Sequence, residues 1–128
     1  MVRIISNAEY NVHSSPLFKE LKMLKFDDIL KMQFACIMFD YDHGNLPICF
    51  NALFNKISSI HGYGTRNATA GNLRENVAVN NKTHGFTMFK FKGPKVFNNI
   101  KDLDFYSDSK NVQSFRKKYR SYLIEIYE

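Results

Sequence analysis

The chain has 128 residues, 45% hydrophobic and 23% charged, with a net charge of +6. That is one domain's worth of chain, able to bury roughly two-thirds of its unfolded surface and too apolar for wholesale disorder. No apolar run approaches the roughly 18–20 residues that span a bilayer, no secretory signal opens the chain, and two cysteines make no disulfide framework, so a nuclear or cytoplasmic protein with no membrane partner is expected.

The first predicted helix starts at Ser15-Pro16, with Leu17, Phe18, Leu21 and Leu24 on one face. Asp27 reads as the cap of a second helix, whose apolar stripe is Ile29, Leu30, Phe34, Ile37, Met38 and Tyr41 and whose end is Gly44. Pro47 opens a short third helix carrying Ile48, Phe50, Leu53, Phe54 and Ile57. Residues 58–74 are polar and glycine-rich, which predicts a loop. Val77 and Val79 pair with Phe86–Lys92 as a predicted hairpin spanning 75–92, turning at 80–85. Gly93-Pro94 breaks the strand and opens a short helix over 94–101. Asp108 or Ser109 caps a final helix over 109–127, with Val112, Phe115, Tyr119, Tyr122 or Leu123, and Ile126 at helical spacing. The expected fold is therefore mainly α: a single domain over 1–128, with three helices in 15–57, two more after the loop, and one two-stranded β-hairpin. Phe34, Ile37, Leu53, Phe115 and Leu123 are the expected common core.

Charge is distributed unevenly. Residues 1–64 hold six basic and six acidic side chains; residues 65–128 hold twelve basic and six acidic, so the whole surplus lies in the second half. A lopsided basic chain points to a polyanionic partner, although 13 lysines and 13 asparagines against five arginines also fit an AT-rich codon bias.

Candidate chemistry is sparse. Asp40 and Asp42 in Phe39-Asp40-Tyr41-Asp42 stand two apart on a helix, where they diverge and cannot chelate one ion. Cys36, His43, Cys49, His61 and His84 lack zinc spacing, and both cysteines read as buried structural thiols. No nucleophile motif or phosphate loop occurs, so no catalytic residue, metal or cofactor is expected. Two clusters remain. His61-Gly62-Tyr63-Gly64-Thr65-Arg66 either stacks a base on Tyr63 and pairs a phosphate with Arg66, or is a structural loop with Tyr63 tucked inward. Phe89-Lys90-Phe91-Lys92, with Lys95 beyond Gly93-Pro94, places lysines on one strand face and rings on the other, for nucleic acid or simply as a solvated face. On the final helix, Arg116, Lys117 and Arg120 are neighbours on the solvent side.

Several strings resemble one family in order and spacing. They are Arg3-Ile4-Ile5-Ser6-Asn7, His13-Ser14-Ser15-Pro16-Leu17-Phe18, Leu24-Lys25-Phe26-Asp27-Asp28-Ile29 and His43-Gly44-Asn45-Leu46-Pro47. His61-Gly62-Tyr63-Gly64-Thr65-Arg66, Gly93-Pro94-Lys95-Val96-Phe97-Asn98 and Ser114-Phe115-Arg116-Lys117-Lys118 follow. Together they resemble the region after the polymerase domain in non-LTR, LINE-type, jockey-like retrotransposon reverse transcriptases, over nearly the whole chain. The chain departs from the family at Phe97, usually tryptophan, at Lys101, near a usual proline, and at Gly62 and Gly64, usually polar. The match starts just after Met1, as in a truncated copy. The resemblance implies a parent RNA-directed DNA polymerase whose catalytic parts lie outside these residues. The expected function is a non-catalytic accessory region, with RNA or DNA bound weakly and salt-sensitively and a polymerase domain as a further partner. A bracing or protein-interaction module that touches no nucleic acid is the alternative. The candidate contacts are His61, Tyr63, Arg66, Lys90, Lys92, Lys95, Arg116, Lys117 and Arg120.

Overall fold

The computed structural model describes residues 2–75 and 89–127. The fold is mainly helical. In chain order come α1 (Val2–Ile5), α2 (Ser14–Glu20), α3 (Phe26–Asp42), a 3-10 turn (Ile48–Ala52), α4 (Ile57–Ile60), α5 (Arg66–Thr69), α6 (Phe89–Ile100), α7 (Asp104–Ser107) and α8 (Val112–Glu125). Among the described residues the only β pairing is an isolated antiparallel bridge between Lys56 and Leu73. No helix among them is long and apolar enough to cross a membrane.

α3 is the central strut. It contains no glycine or proline, carries Asp27 and Asp28 in its first turn against the helix dipole, and ends before Gly44, whose φ of +71° suits a residue without Cβ. Lys25, not Asp27, occupies its N-cap. The buried face is Met32, Ala35, Cys36, Met38 and Phe39. Of the expected stripe, only Met38 is fully buried. α3 is apolar around most of its circumference, so hydrophobicity alone did not mark the inward side: small Ala35 and Cys36 are buried while larger Ile29, Leu30 and Ile37 are left outside. Phe39 stacks on Phe115 at 4.7 Å, while Asp28 accepts a hydrogen bond from Tyr127 at 2.6 Å, so α3 and α8 run antiparallel. Phe115 and Leu123 join the core as expected, Phe34 and Leu53 lie half-buried at its edge, and Ile37 faces outward.

Part of the expected hairpin is replaced by helix. Residues 76–88, including Val77, Val79 and the turn at 80–85, lie outside the described residues, but Phe89–Lys92 form the first turn of α6, which continues through Gly93-Pro94. Four residues of alternation are outweighed by a twelve-residue pattern in which Phe89, Gly93, Phe97 and Ile100 line one helical face. Pro94 forfeits the hydrogen bond to the Lys90 carbonyl, yet its ring is buried against the core. Gly93 faces α3 at close quarters: a Cβ there would stand 3.0 Å from Met38 Sδ and 3.1 Å from the Phe54 ring.

Connections differ as well. The third predicted helix is a 3-10 turn, and the predicted loop over 58–74 holds α4 and α5. Asn98 fastens that excursion to α6: its side-chain carbonyl accepts from the Leu73 N–H at 2.9 Å and its amide donates to the Leu73 carbonyl at 3.0 Å. α8 is capped by Asn111, whose side chain accepts from the Ser114 N–H at 2.8 Å, rather than by Asp108 or Ser109.

Candidate nucleic-acid interface

α8 buries Phe115, Tyr119 and Leu123 at four-residue intervals, which turns Arg116, Lys117 and Arg120 toward solvent on an adjoining side. The three line a groove of about 570 Å³ whose apolar floor is Met23, Leu24, Ile29 and Met32, with Gln33 and Gln113 beside them. A second groove of about 520 Å³ lies between α2 and α8, lined by Lys19, Lys22, Lys117, Arg120, Ser121, Ile124 and Glu125. Lys117 and Arg120 line both, so the two grooves adjoin along α8.

The tertiary contact of α2 with α8 completes the cationic set. Lys22 sits in the left-handed region, with φ of +51°, in the turn that closes α2. Its carbonyl accepts a hydrogen bond from the Arg120 guanidinium at 3.1 Å, and the Lys19 ammonium donates to the Glu125 carbonyl at 3.2 Å. Five cations (Lys19, Lys22, Arg116, Lys117 and Arg120) thus line the two grooves against one lining carboxylate, Glu125. Among the described residues, the only ion pair is Lys31–Asp28, and none of the five has an acidic partner there. Lys19 and Lys22 are the functional candidates sequence reasoning missed. Their three-residue spacing off the apolar face of α2 was legible, but a neutral first half gave no reason to place them beside α8.

The remaining candidates do not join these grooves. A helix turns residues two apart by about 200°, so Lys90 and Lys92 do not share a face as a strand would have required. Lys90 is exposed, while Lys92 holds its ammonium 5.3 Å above the Phe34 ring and joins Lys31, Lys95 and Asn99 around a separate groove of about 280 Å³. His61 and Tyr63 are rings 6.0 Å apart between α4 and α5; Tyr63 is 78% exposed, and Arg66 is exposed at the start of α5. Tyr63 is therefore not tucked into the core. Thr65 caps α5, its hydroxyl accepting from the Ala68 N–H at 3.3 Å.

The acids and thiols have local partners or stand apart. Asp40 accepts from Asn45 at 3.2 Å and Asp42 from the Tyr106 hydroxyl at 3.0 Å, each in its own direction. Burial, then the nearby Asp42 charge and hydrogen bond, push the Tyr106 hydroxyl well above the ordinary tyrosine range. Cys36 is buried, and that burial pushes its thiol up, making it a poor nucleophile. Cys49 is exposed, against the expectation of burial, because the 3-10 turn carries it outward. No three His, Cys, Asp or Glu side chains among the described residues converge on a point that could hold a metal ion. A scan of protein-family models and searches of curated proteins and of solved structures found no match to this chain.

Proposed function

We propose that this chain is a non-catalytic accessory domain that grips the phosphate backbone of RNA or DNA in the α2–α8 cleft. The carrying observation is the set of five cations, from α8 and the α2 segment, that line two adjoining open grooves, with no ion-pair partner among the described residues. Phosphate contacts of this kind supply affinity without sequence preference, and guanidinium forks suit phosphate oxygens. The resemblance to the post-polymerase region of non-LTR reverse transcriptases supplies the context: a nuclear or cytoplasmic chain that holds template RNA or target DNA beside a polymerase domain. On this proposal the chain performs no reaction of its own.

Replacing Arg116, Lys117 and Arg120 together with glutamine tests the assignment. Binding of a labelled oligonucleotide is expected to weaken on every sequence, and the slope of log affinity against log salt to flatten by about two units. The substitutions lie on an exposed face, so circular dichroism should report an intact fold. A folded triple variant that binds as tightly as the parent would remove the cleft from consideration.

A further inference from the structure

α3 presents an apolar stripe that nothing among the described residues covers. Phe26, Ile29, Leu30 and Ile37 are 74%, 40%, 38% and 37% exposed. At 100° per residue, Phe26, Leu30, Gln33 and Ile37 follow one line along the helix, with Ile29 beside it, over about 16 Å. Single exposed apolar residues are ordinary, but four large ones along one side of a helix, interrupted only by Gln33, mark a contact surface.

Both flanks of the stripe are cationic. On one side, Ile29 and Gln33 share their groove with Arg116, Lys117 and Arg120. On the other, Lys92 lies over the Phe34 ring, with Lys31 and Lys95 around the adjoining groove. Of these cations, only Lys31 has an acidic partner among the described residues, Asp28. Asp27 and Asp40 stand on α3 itself, at the two ends of the stripe.

From this complementarity we propose that the outer face of α3 seats an amphipathic helix of a partner protein, one whose apolar stripe is bordered on both sides by Asp and Glu. The helix would lie along α3 with Leu-type side chains over Leu30 and Ile37 and its carboxylates reaching both flanks, as in helix-in-groove recognition. Three competitors fit less well. A phosphate backbone gains nothing by covering an apolar line. A second copy would set cationic flank against cationic flank, which opposes pairing. A bilayer favours apolar side chains that stand clear of the surface, whereas Ile29, Leu30 and Ile37 are only 40%, 38% and 37% exposed.

The test uses the intact chain and a labelled synthetic helix of about 18 residues, with leucines on one stripe and glutamates on both flanks, titrated by fluorescence anisotropy. Saturable binding is expected, weakened at least tenfold by Leu30→Ser with Ile37→Ser and at least tenfold when the peptide's glutamates become lysines. If the double variant fails to fold, Phe26→Ser replaces it; that residue is exposed enough to leave the fold alone, and a loss of threefold or more is expected. No saturable binding, or binding indifferent to these changes, overturns the proposal. So does tighter association with phosphatidylserine vesicles than with the peptide, or a dimer in sedimentation that Ile37→Lys dissolves.

Discussion

At the scale of single residues, Gly93 and the Asp28–Tyr127 pair show how local chemistry sets the packing. Glycine inside a helix ordinarily costs about 1 kcal/mol relative to alanine, so Gly93→Ala would be expected to stabilise if the site were open. It is crowded: the new Cβ would press on Met38 Sδ at 3.0 Å and the Phe54 ring at 3.1 Å, both buried in the core. Gly93→Ala should therefore destabilise by about 1–3 kcal/mol in urea titration, and a gain in stability would contradict the close crossing of α6 and α3. Tyr127 donates to Asp28 at 2.6 Å and accepts from the Lys25 N–H at 2.9 Å, tying the C-terminus to the start of α3. Burial alone would raise the Asp28 carboxyl, but hydrogen bonds from Lys31 and Tyr127, with the charges of Lys31 and Lys25, outweigh it and hold the group below its ordinary value. A lowered carboxyl contributes stability above its unfolded value, near 3.8, and loses it as the pH falls further. Burial, then the bond to Asp28, push the Tyr127 hydroxyl up to about 12, so its contribution is full below 10 and is lost as the pH rises through 12. Tyr127→Phe should cost about 1.5–3 kcal/mol near neutrality and flatten the alkaline shoulder of the stability profile. An unchanged alkaline shoulder would show that the hydroxyl titrates elsewhere.

Among the elements, α3 and α8 carry the core, and truncations should separate its two sides. Phe115 is fully buried between Phe39 and Tyr119, stacked at 4.7 and 5.5 Å, so Phe115→Ala should cost about 3–5 kcal/mol. Ile37 lies on the outer stripe, so Ile37→Ala should cost under about 1 kcal/mol in the same assay. Equal losses would mean that the inward face of α3 is wrongly assigned. The helices themselves were legible because α2, α3 and α8 repeat their apolar residues at helical spacing over several turns. The inward face of α3 was not, since side chains such as Leu30 and Ile37 are larger apolar groups than Ala35 and Cys36, yet the small pair is buried and the large pair exposed. The Phe-Lys alternation at 89–92 misled for a related reason: Gly93 contributes to the helical face by what it lacks, and a missing side chain leaves no periodic signal. Of the cleft, Arg116, Lys117 and Arg120 could be grouped from the α8 repeat alone. Lys19 and Lys22 could not be added, because the α2–α8 contact joins residues about a hundred positions apart.

For the whole molecule, the sequence charge understates the local one. A net +6 over 128 residues is modest, yet five cations line the two adjoining grooves along α8 against one lining carboxylate. The apolar outer stripe of α3 adjoins those grooves through Ile29 and Gln33, so a partner helix seated there would border any nucleic acid held by α8. The direct measurement is the affinity of the intact chain for a single-stranded oligonucleotide, followed by anisotropy from 50 to 200 mM salt. If all five cations each neutralise one phosphate, log affinity should fall against log salt with a slope of about −3.5, from micromolar binding at the low end. A slope near zero, or no binding at 50 mM salt, would contradict a phosphate-binding cleft.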